Sequence, residues 1–338
     1  MNANTYPPPP MYSQHVPTNL VQPPPAPPPA PVVQAPPQPP PTAPSAIPSY
    51  PPLYLPKSFT DEDLAVFKDQ GFVNLGQVYT NELLEKARER ADGLLNGTAY
   101  GGDTTHPVYR TLSYQSDAVS GLARDTSKPS RGFKGPASVY RKVSGLEADA
   151  VFYQMAALPL AAEVCRRIYE PGYGVQLFDL SLNVKPKAND ETSPTGVAEA
   201  CGQCRWSTLS TDPLVCIITA LDDVGQENDG GLQIALGSHK QGIINPTHQR
   251  SMLSQKQDRQ ARRDMMWTTL TLAAGESALV HNWLVRYSTT NTTATQRRTV
   301  SASYMLAGTL YRGKPSQARR IFGPGASTAD DCPGRWTE

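Results

Sequence analysis

The first 56 residues contain no lysine, arginine, aspartate or glutamate. The same stretch holds 22 of the 34 prolines, and proline interrupts its few apolar residues too often for a packed element to form. A segment of this composition is expected to be disordered with polyproline II character. We therefore predict a disordered segment over 1–56, one folded domain over 57–315 that is long enough to bury a sizeable core, and a flexible tail over 316–338.

Several other features are scarce or missing, and each absence excludes a class of location, partner or active site. No apolar run is long enough to span a membrane, and the N-terminus lacks the basic and apolar regions of a secretory signal, so we expect a cytoplasmic protein. The formal net charge of +1 offers little attraction for nucleic acid or an anionic membrane. Five cysteines, an odd number, fit reduced thiols better than a disulfide framework. The sequence also lacks a Gly-x-Ser-x-Gly nucleophile turn and a phosphate-binding loop.

One short pattern occurs twice in the proline-rich segment, as Pro9-Pro10-Met11-Tyr12 and as Pro51-Pro52-Leu53-Tyr54. Both copies look like the PPxY ligands of WW domains, in which a preformed polyproline helix docks into an aromatic groove. Such strings also arise by chance in a segment this rich in proline and tyrosine, so we favour the role of a spacer. A WW-domain partner stays an alternative.

A basic stretch from Gln255 to Arg263 has its charges at helical spacing and no aromatic residues between them. That pattern is more typical of a solvated helix face than of a nucleic-acid site. We therefore expect no nucleic-acid partner.

The folded region begins with helical patterns. Thr60 precedes acidic residues and then Leu64 and Phe67, as a helix N-cap does, and Thr80 precedes a second helix through about Leu94. Around them we predict a strand from Gly71 to Val78, loops from Asn96 to Ser144, and a helix from Glu147 to about Ile168 that is bent or broken at Pro159.

Beyond Ile168 the apolar period changes from helical to alternating. Phe178, Leu180, Leu182 and Val184 alternate with Asp179, Ser181 and Asn183, as in a half-buried strand. The later predicted strands are Leu214 to Leu221, apolar on both faces, then Leu232 to Leu236, Thr268 to Leu272, Ser277 to Val285 and Val300 to Leu306. Helices first and many short strands afterwards predict an α+β fold with the strands in a double sheet.

Several short blocks of the folded region recur in the order and spacing of a known family. They are Asp63-Leu64, Gly71-Phe72-Val73-Asn74-Leu75, Leu221-Asp222-Asp223, Glu227-Asn228-Asp229-Gly230-Gly231-Leu232, Gly237-Ser238-His239-Lys240, and Ser288 with Asn291 and Arg297. Over about Phe59 to Gly313 the chain resembles the phytanoyl-CoA dioxygenase family. The resemblance implies a double-stranded β-helix, a cupin-like jelly roll whose two sheets enclose the active site. It also implies an oxygenase that uses iron(II) and 2-oxoglutarate.

The resemblance places the family's iron ligands, a His-x-Asp pair and a distant His, on Gly202, Cys204 and Arg286. The family's 2-oxoglutarate-binding arginine matches Arg297, and Ser288 belongs to the same block. A guanidinium about 4 Å from a divalent cation, at an effective dielectric of about 20, opposes metal binding by roughly 8 kcal/mol. We therefore expect no iron, and an anion-binding pocket in which Arg286 fills the place of the metal and acts together with Arg297 and Ser288.

Other histidines are poor substitutes for the missing ligands. His281 is five positions from Arg286 on what is predicted to be one strand, and an odd separation turns its side chain to the opposite face. His239 belongs to the Gly-Ser-His-Lys turn, where structural hydrogen bonds are expected. His15 lies in the proline-rich segment, and His106 and His248 lie in predicted loops.

Cys201 and Cys204 form a Cys-x-x-Cys pair. A redox dithiol usually opens a helix after a strand, and a zinc site needs two further ligands, neither of which is evident here. We favour an incidental pair over a redox or metal role.

Three hypotheses about function follow. The first is a jelly-roll protein of this family that has lost iron and binds a small anion or performs non-oxidative chemistry. The second is an active iron(II) and 2-oxoglutarate-dependent oxygenase that hydroxylates a small or lipid-like molecule with non-standard ligands. The third is an interaction protein that works through its proline-rich segment. No cofactor is predicted under the first hypothesis, although 2-oxoglutarate stays a candidate for its anion, and iron(II) belongs only to the second.

Overall fold

The computed structural model describes residues 53–116, 130–135, 140–169, 174–187, 215–242, 265–288, 291–311, 314–315 and 318–328. The chain divides into two units, Met1–Tyr50 and Pro51–Glu338, and all described residues belong to the second. Four predictions lie outside the described residues: the proline-rich segment to position 52, the Cys201 and Cys204 pair, the basic stretch, and the last residues of the tail.

Packed structure is present N-terminal to position 57. Tyr54 forms a β-bridge with Tyr79, and Leu55 donates its backbone N–H to Val78. The Tyr54 hydroxyl donates to the carbonyl of Gln154 at 2.9 Å. The tyrosine of the second PPxY copy is therefore held against the folded unit.

The two predicted threonine caps are confirmed. Thr60 and Asp63 form a reciprocal capping box at the start of α1 (Asp61–Gln70), and the Thr80 hydroxyl accepts from Leu83 N–H in α2 (Asn81–Asn96). Each helix ends at a glycine with positive φ, Gly71 or Gly97, because a residue without Cβ adopts this left-handed cap most easily.

Pro159 separates two helices, as predicted. Asp149 caps α4 (Ala150–Ala156) by accepting from two backbone N–H groups, and α5 (Pro159–Ile168) begins at the proline itself. The prediction of loops from Asn96 to Ser144 is wrong in part, since this region also contains α3 (Pro107–Thr111) and three short strands. Among the described residues no helix is long and apolar enough to cross a membrane.

Most strands of the described residues form one large sheet, with nine strands. Its members are β1 (Phe72–Gln77), β2 (Ser113–Ser116), β3 (Ser130–Arg131), β4 (Tyr140–Ser144), β5 (Val175–Lys185), β6 (Val215–Ala220), β9 (Glu276–His281), β11 (Arg297–Leu306) and β14 (Arg320–Phe322). The order of the strands is β1-β9-β6-β11-β5-β4-β2-β3, and β14 also pairs with β5.

A small sheet of three strands has the order β10-β7-β8. It comprises β7 (Leu232–Ala235), β8 (Trp267–Leu270) and β10 (Arg286–Ser288), and a separate hairpin joins β12 (Leu310–Tyr311) to β13 (Lys314–Pro315). The predicted single strand from Ser277 to Val285 is wrong. The chain turns after His281, where Trp283 N–H donates to the His281 ring at 3.0 Å, and continues in the other sheet.

The two faces of the large sheet pack against different layers. One face contacts the helices in the main core, to which Leu180, Leu182, Val300 and Ala302 belong. The other face contributes to a second cluster, in which Cys216 and Ile218 of β6 join Ile234 and Leu270 of the small sheet. The space between the two sheets is called the barrel interior below.

Gly71 connects α1 to β1 and lies next to His239, in the turn after β7. Its φ is 79°, and a Cβ added there would come within 2.5 Å of His239 Nδ1. We expect Gly71→Ala to destabilise the protein by about 3 kcal/mol, because it combines left-handed strain with a steric clash. Urea denaturation followed by circular dichroism measures this change.

Gly102 supplies a matched control. Its φ of 81° is nearly the same, but nothing lies within 4 Å of its added Cβ. Gly102→Ala should therefore cost only the backbone strain, about 1 kcal/mol. Equal losses for the two variants would contradict the proposed contact between Gly71 and His239.

Candidate functional site

Three rows of side chains cross the interior face of the large sheet. Residues opposite each other on antiparallel strands share a face. The register of β5, β11 and β6 therefore aligns Asp179 with Ser303 and Cys216, Ser181 with Ser301 and Ile218, and Asn183 with Thr299 and Ala220. Each row is polar on β5 and β11. On β6 the same rows carry a thiol or apolar side chains. We call the six residues Asp179, Ser181, Asn183, Thr299, Ser301 and Ser303 the polar strip.

Hydrogen bonds and an ion pair between described residues hold the polar strip in place. Lys142 on β4 pairs with Asp179 at 2.9 Å, and both side chains are largely buried. Asn183 donates to the Ser301 hydroxyl at 2.9 Å, and Ser181 donates to Asp179 at 3.4 Å. A buried polar group without a hydrogen-bond partner costs free energy of folding. The network supplies such partners and orders the side chains of the strip.

Arg286 and Ser288 face the barrel interior from the small sheet. They pair with Ile234 and Leu232 of β7, and Ile234 belongs to the interior cluster. Two-residue spacing on a strand puts both side chains on that same face. Burial raises the pKa of the Cys216 thiol, and the positive charge of Arg286 acts against this rise.

Arg286 differs from the two arginines that begin β11. Arg298 forms a bidentate ion pair with Asp222 at 2.8 and 2.9 Å and also contacts Asp92 at 2.6 Å. The buried Arg297 donates to the carbonyls of Asp229 and Gly230 at 3.1 and 2.9 Å. By contrast, Arg286 is half-buried and donates to the Leu284 carbonyl at 3.5 Å, and no carboxylate of the described residues lies within 4.0 Å of it.

His281 points away from the barrel interior. It pairs with Val215, which belongs to the main core, and its ring lies 5.7 Å from Phe67 of α1. The predicted orientation is thus confirmed, although the reason given for it was wrong, since His281 and Arg286 are on different strands. His239 makes the predicted structural hydrogen bond through Nε2, which is 3.1 Å from the Lys68 carbonyl.

The structure describes one of the three residues that are predicted to replace the family's iron ligands. Gly202 and Cys204 lie outside the described residues, whereas Arg286 is the first residue of β10. Within the described ranges no three His, Cys, Asp or Glu side chains are grouped as a metal site would require. The free cysteines of these ranges, Cys165 and Cys216, are both buried.

The sequence matches the phytanoyl-CoA dioxygenase (PhyH) family over residues 67–299, which is more than half of the chain. This chain belongs to that family. No match was found among curated proteins. The predicted resemblance is confirmed.

Solved structures agree with this family membership at the level of the fold. The epimerase SnoN, in complex with Fe3+, alpha ketoglutarate and nogalamycin RO, has a TM-score of 0.53 at 18% identity, over 81% of this chain and 90% of its own. The alpha ketoglutarate-dependent carbocyclase SnoK from nogalamycin biosynthesis has a TM-score of 0.52 at 15% identity, over 75% and 87%. EctD from S. alaskensis, with bound Fe, has a TM-score of 0.51 at 16% identity, over 76% and 79%. The α+β jelly-roll fold is thereby confirmed.

Sequence analysis did not identify the polar strip as a site. Asp179, Ser181 and Asn183 were predicted only as the polar side of a half-buried strand. In the structure that side faces the barrel interior next to the polar residues of β11. One sequence pattern could have indicated the strip: on a second strand of the same double sheet, the polar residues Thr299, Ser301 and Ser303 alternate with apolar residues.

The histidine pair beneath α1 makes stability depend on pH. The rings of His239 and His281 lie 4.8 Å apart. Burial lowers the pKa of His281 to about 3, with smaller effects from His239 and Arg286, and burial also lowers the pKa of His239. Near pH 6.5 the unfolded chain takes up protons that the folded protein refuses, so the free energy of unfolding should fall as the pH drops from about 6.5 towards 3. The slope should be up to about 1.4 kcal/mol per pH unit for each histidine.

His281→Asn tests this dependence, because the Asn side chain can still accept from Trp283 N–H. Urea denaturation at about pH 7 and about pH 5 gives the change in the free energy of unfolding. The variant should lose less stability between these two pH values than the wild type does. An equal loss in both proteins would contradict the assignment to His281.

Proposed function

We propose that this protein is an iron-independent member of the phytanoyl-CoA dioxygenase family that binds a small anion inside its barrel through Arg286. The observation that carries the proposal is the environment of Arg286. It is a half-buried guanidinium on the interior face of the small sheet, without a carboxylate of the described residues within 4.0 Å. A charge in that position gains much from an anionic ligand, because it has been partly removed from water.

The neighbouring arginines make this environment specific. Arg298 is neutralised by Asp222 and Asp92, and Arg297 is bound to two backbone carbonyls. Arg297, at the start of β11, stays a second candidate for contact with the anion. The buried Ser288, two residues along β10 from Arg286, adds a hydroxyl on the same face.

The side chains at the family's metal positions do not fit iron. Glycine at 202 offers no ligand, and a guanidinium at 286 cannot lose its proton at physiological pH. The repulsion of roughly 8 kcal/mol expected at about 4 Å is larger than one thiolate at Cys204 is expected to offset. On this proposal the protein is a pseudo-oxygenase that lacks iron chemistry. The alternative, an active oxygenase with non-standard iron ligands, is one outcome of the test below.

The interaction hypothesis applies to one PPxY copy more readily than to the other. Tyr54 bonds to Gln154 and contacts Tyr79 with ring centroids 6.4 Å apart, so a WW domain would have to remove it from the folded unit. Any binding of a WW domain is therefore assigned to the copy that ends at Tyr12.

Arg286→Gln tests the anion site. Isothermal titration with 2-oxoglutarate, used as a probe carboxylate in metal-free buffer, should show binding to the wild type. The variant should bind about tenfold to a hundredfold more weakly, because it loses charge-assisted hydrogen bonds. Arg110→Gln is the matched control, since Arg110 is exposed on α3 and belongs to neither sheet.

The same titration with ferrous iron present distinguishes the alternatives. Affinity for 2-oxoglutarate that is unchanged by iron supports an iron-independent site. Binding that requires iron, or binding that Arg286→Gln leaves intact, overturns the proposal, and the iron-dependent result favours an active oxygenase.

A further inference from the structure

We propose that the folded unit holds the second PPxY copy as a latched ligand, which a WW domain reaches only when the segment 53–55 leaves the end of β1. This segment is called the latch below. While the latch is closed, the copy that ends at Tyr12 is the site for a WW domain, and the copy that ends at Tyr54 is added when the latch opens. The inference goes beyond the anion site and does not depend on Arg286.

The latch pairs with the residues that follow β1. Leu55 donates its backbone N–H to the Val78 carbonyl at 3.0 Å. Thr80 donates its backbone N–H to the Leu53 carbonyl at 3.1 Å, and the β-bridge of Tyr54 lies between these two bonds. The latch is thus a short antiparallel addition to the end of β1, and two backbone hydrogen bonds hold it there.

The side chain of Tyr54 also caps the end of α4. The carbonyls of the last turn of a helix have no partner within the helix. At α4 three tyrosine hydroxyls donate to them: Tyr54 to Gln154 at 2.9 Å, Tyr79 to Met155 at 2.9 Å and Tyr304 to Ala156 at 2.7 Å. Tyr79 and Tyr304 are 2% and 1% exposed, whereas Tyr54 and Gln154 are half-buried. Water can therefore replace the Tyr54 hydroxyl at this carbonyl, and Tyr54 can leave while the other two tyrosines stay in the core.

A WW domain and the folded unit compete for the same side chain. The aromatic groove of a WW domain takes up the proline helix, and the tyrosine of the motif sets the register. In the closed latch the ring of Tyr54 lies 6.4 Å from that of Tyr79, and its hydroxyl is bonded to Gln154. One ring cannot occupy both places, so binding of a WW domain requires an open latch.

Opening of the latch is a local event. Residues 55–58, which lead from the latch towards α1, are exposed, and Phe59 is the first residue of the core. A segment with few buried contacts and few hydrogen bonds opens without unfolding the rest of the protein. A partner that binds only the open form has its dissociation constant raised by the inverse of the open fraction. The latch therefore weakens binding at this copy and does not abolish it.

A peptide and the intact protein form a matched pair for the test. Tyr12→Ala disables the first copy in the full-length protein, and a synthetic peptide of residues 46–60 carries the second copy without the surface that holds it. The probe is one purified WW domain of the group that binds PPxY peptides. In isothermal titration the probe should bind the peptide at least about tenfold more tightly than it binds the Tyr12→Ala protein.

Leu55→Pro should open the latch and leave the motif intact. Proline has no N–H to donate to Val78, and it favours extended conformations for Tyr54, which suit a polyproline helix. In the Tyr12→Ala protein this change should raise the affinity for the probe about fivefold to tenfold, whereas the peptide with the same change should bind as before. Leu55→Ala keeps the N–H and is the matched control, for which we expect no change.

Hydrogen exchange shows whether the latch itself moves. The backbone amide of Thr80 should be protected in the free Tyr12→Ala protein, because it donates to Leu53. It should exchange faster when the probe is added in excess. Protection that the bound probe leaves unchanged would mean that the latch does not open, and would overturn the inference.

The binding outcomes are equally decisive. If the peptide does not bind the probe, the second copy is not a WW ligand and the inference is wrong. Equal affinities for the peptide and the Tyr12→Ala protein would show that the folded unit does not restrict access. If Leu55→Pro and Leu55→Ala leave the same difference between protein and peptide, the contacts of the latch are not its cause. None of these results depends on Arg286, so the proposed function is tested separately.

Discussion

A positive charge facing the interior of the barrel is the constraint on which the account of this site depends. Arg286 is fixed opposite Ile234 by the pairing of β10 with β7, so its side chain faces the space between the sheets. Arg297 and Arg298 are held by carbonyls and by carboxylates, respectively. A guanidinium cannot be neutralised by losing its proton, so the interior has to supply an anion or leave this charge to solvent.

The large sheet lies across the barrel interior from Arg286. Its outer face carries Leu180, Leu182, Val300 and Ala302 and packs on the helices in the main core. Its inner face changes from apolar on β6 to polar on β11 and β5. The apolar half holds the small sheet in place, and the polar half is held by the Lys142 and Asp179 ion pair and by the bond between Asn183 and Ser301. The same three strands thus pack on the helices with one face and carry the polar strip on the other.

Local patterns in the sequence predicted the elements well where one residue decides the outcome. Thr60 and Thr80 cap helices, Pro159 divides a helix, and the apolar run in β6 is buried along its whole length. Errors arose where long-range contacts decide. The apolar residues after His281 looked like a continuing strand, but the turn bonds of Trp283 and Leu284 end it. The polar strip requires the register between strands that are more than a hundred residues apart, and no local pattern contains that information.

The most direct test of the account is the iron content and chemistry of the protein after reconstitution with ferrous iron in the absence of oxygen. If Arg286 takes the place of an iron-binding histidine, as proposed, no stoichiometric iron should remain after gel filtration, and no succinate should form when 2-oxoglutarate and oxygen are then added. One tightly bound iron per chain, together with release of succinate, would contradict the account. It would show that this barrel is an oxygenase with a ligand set of its own.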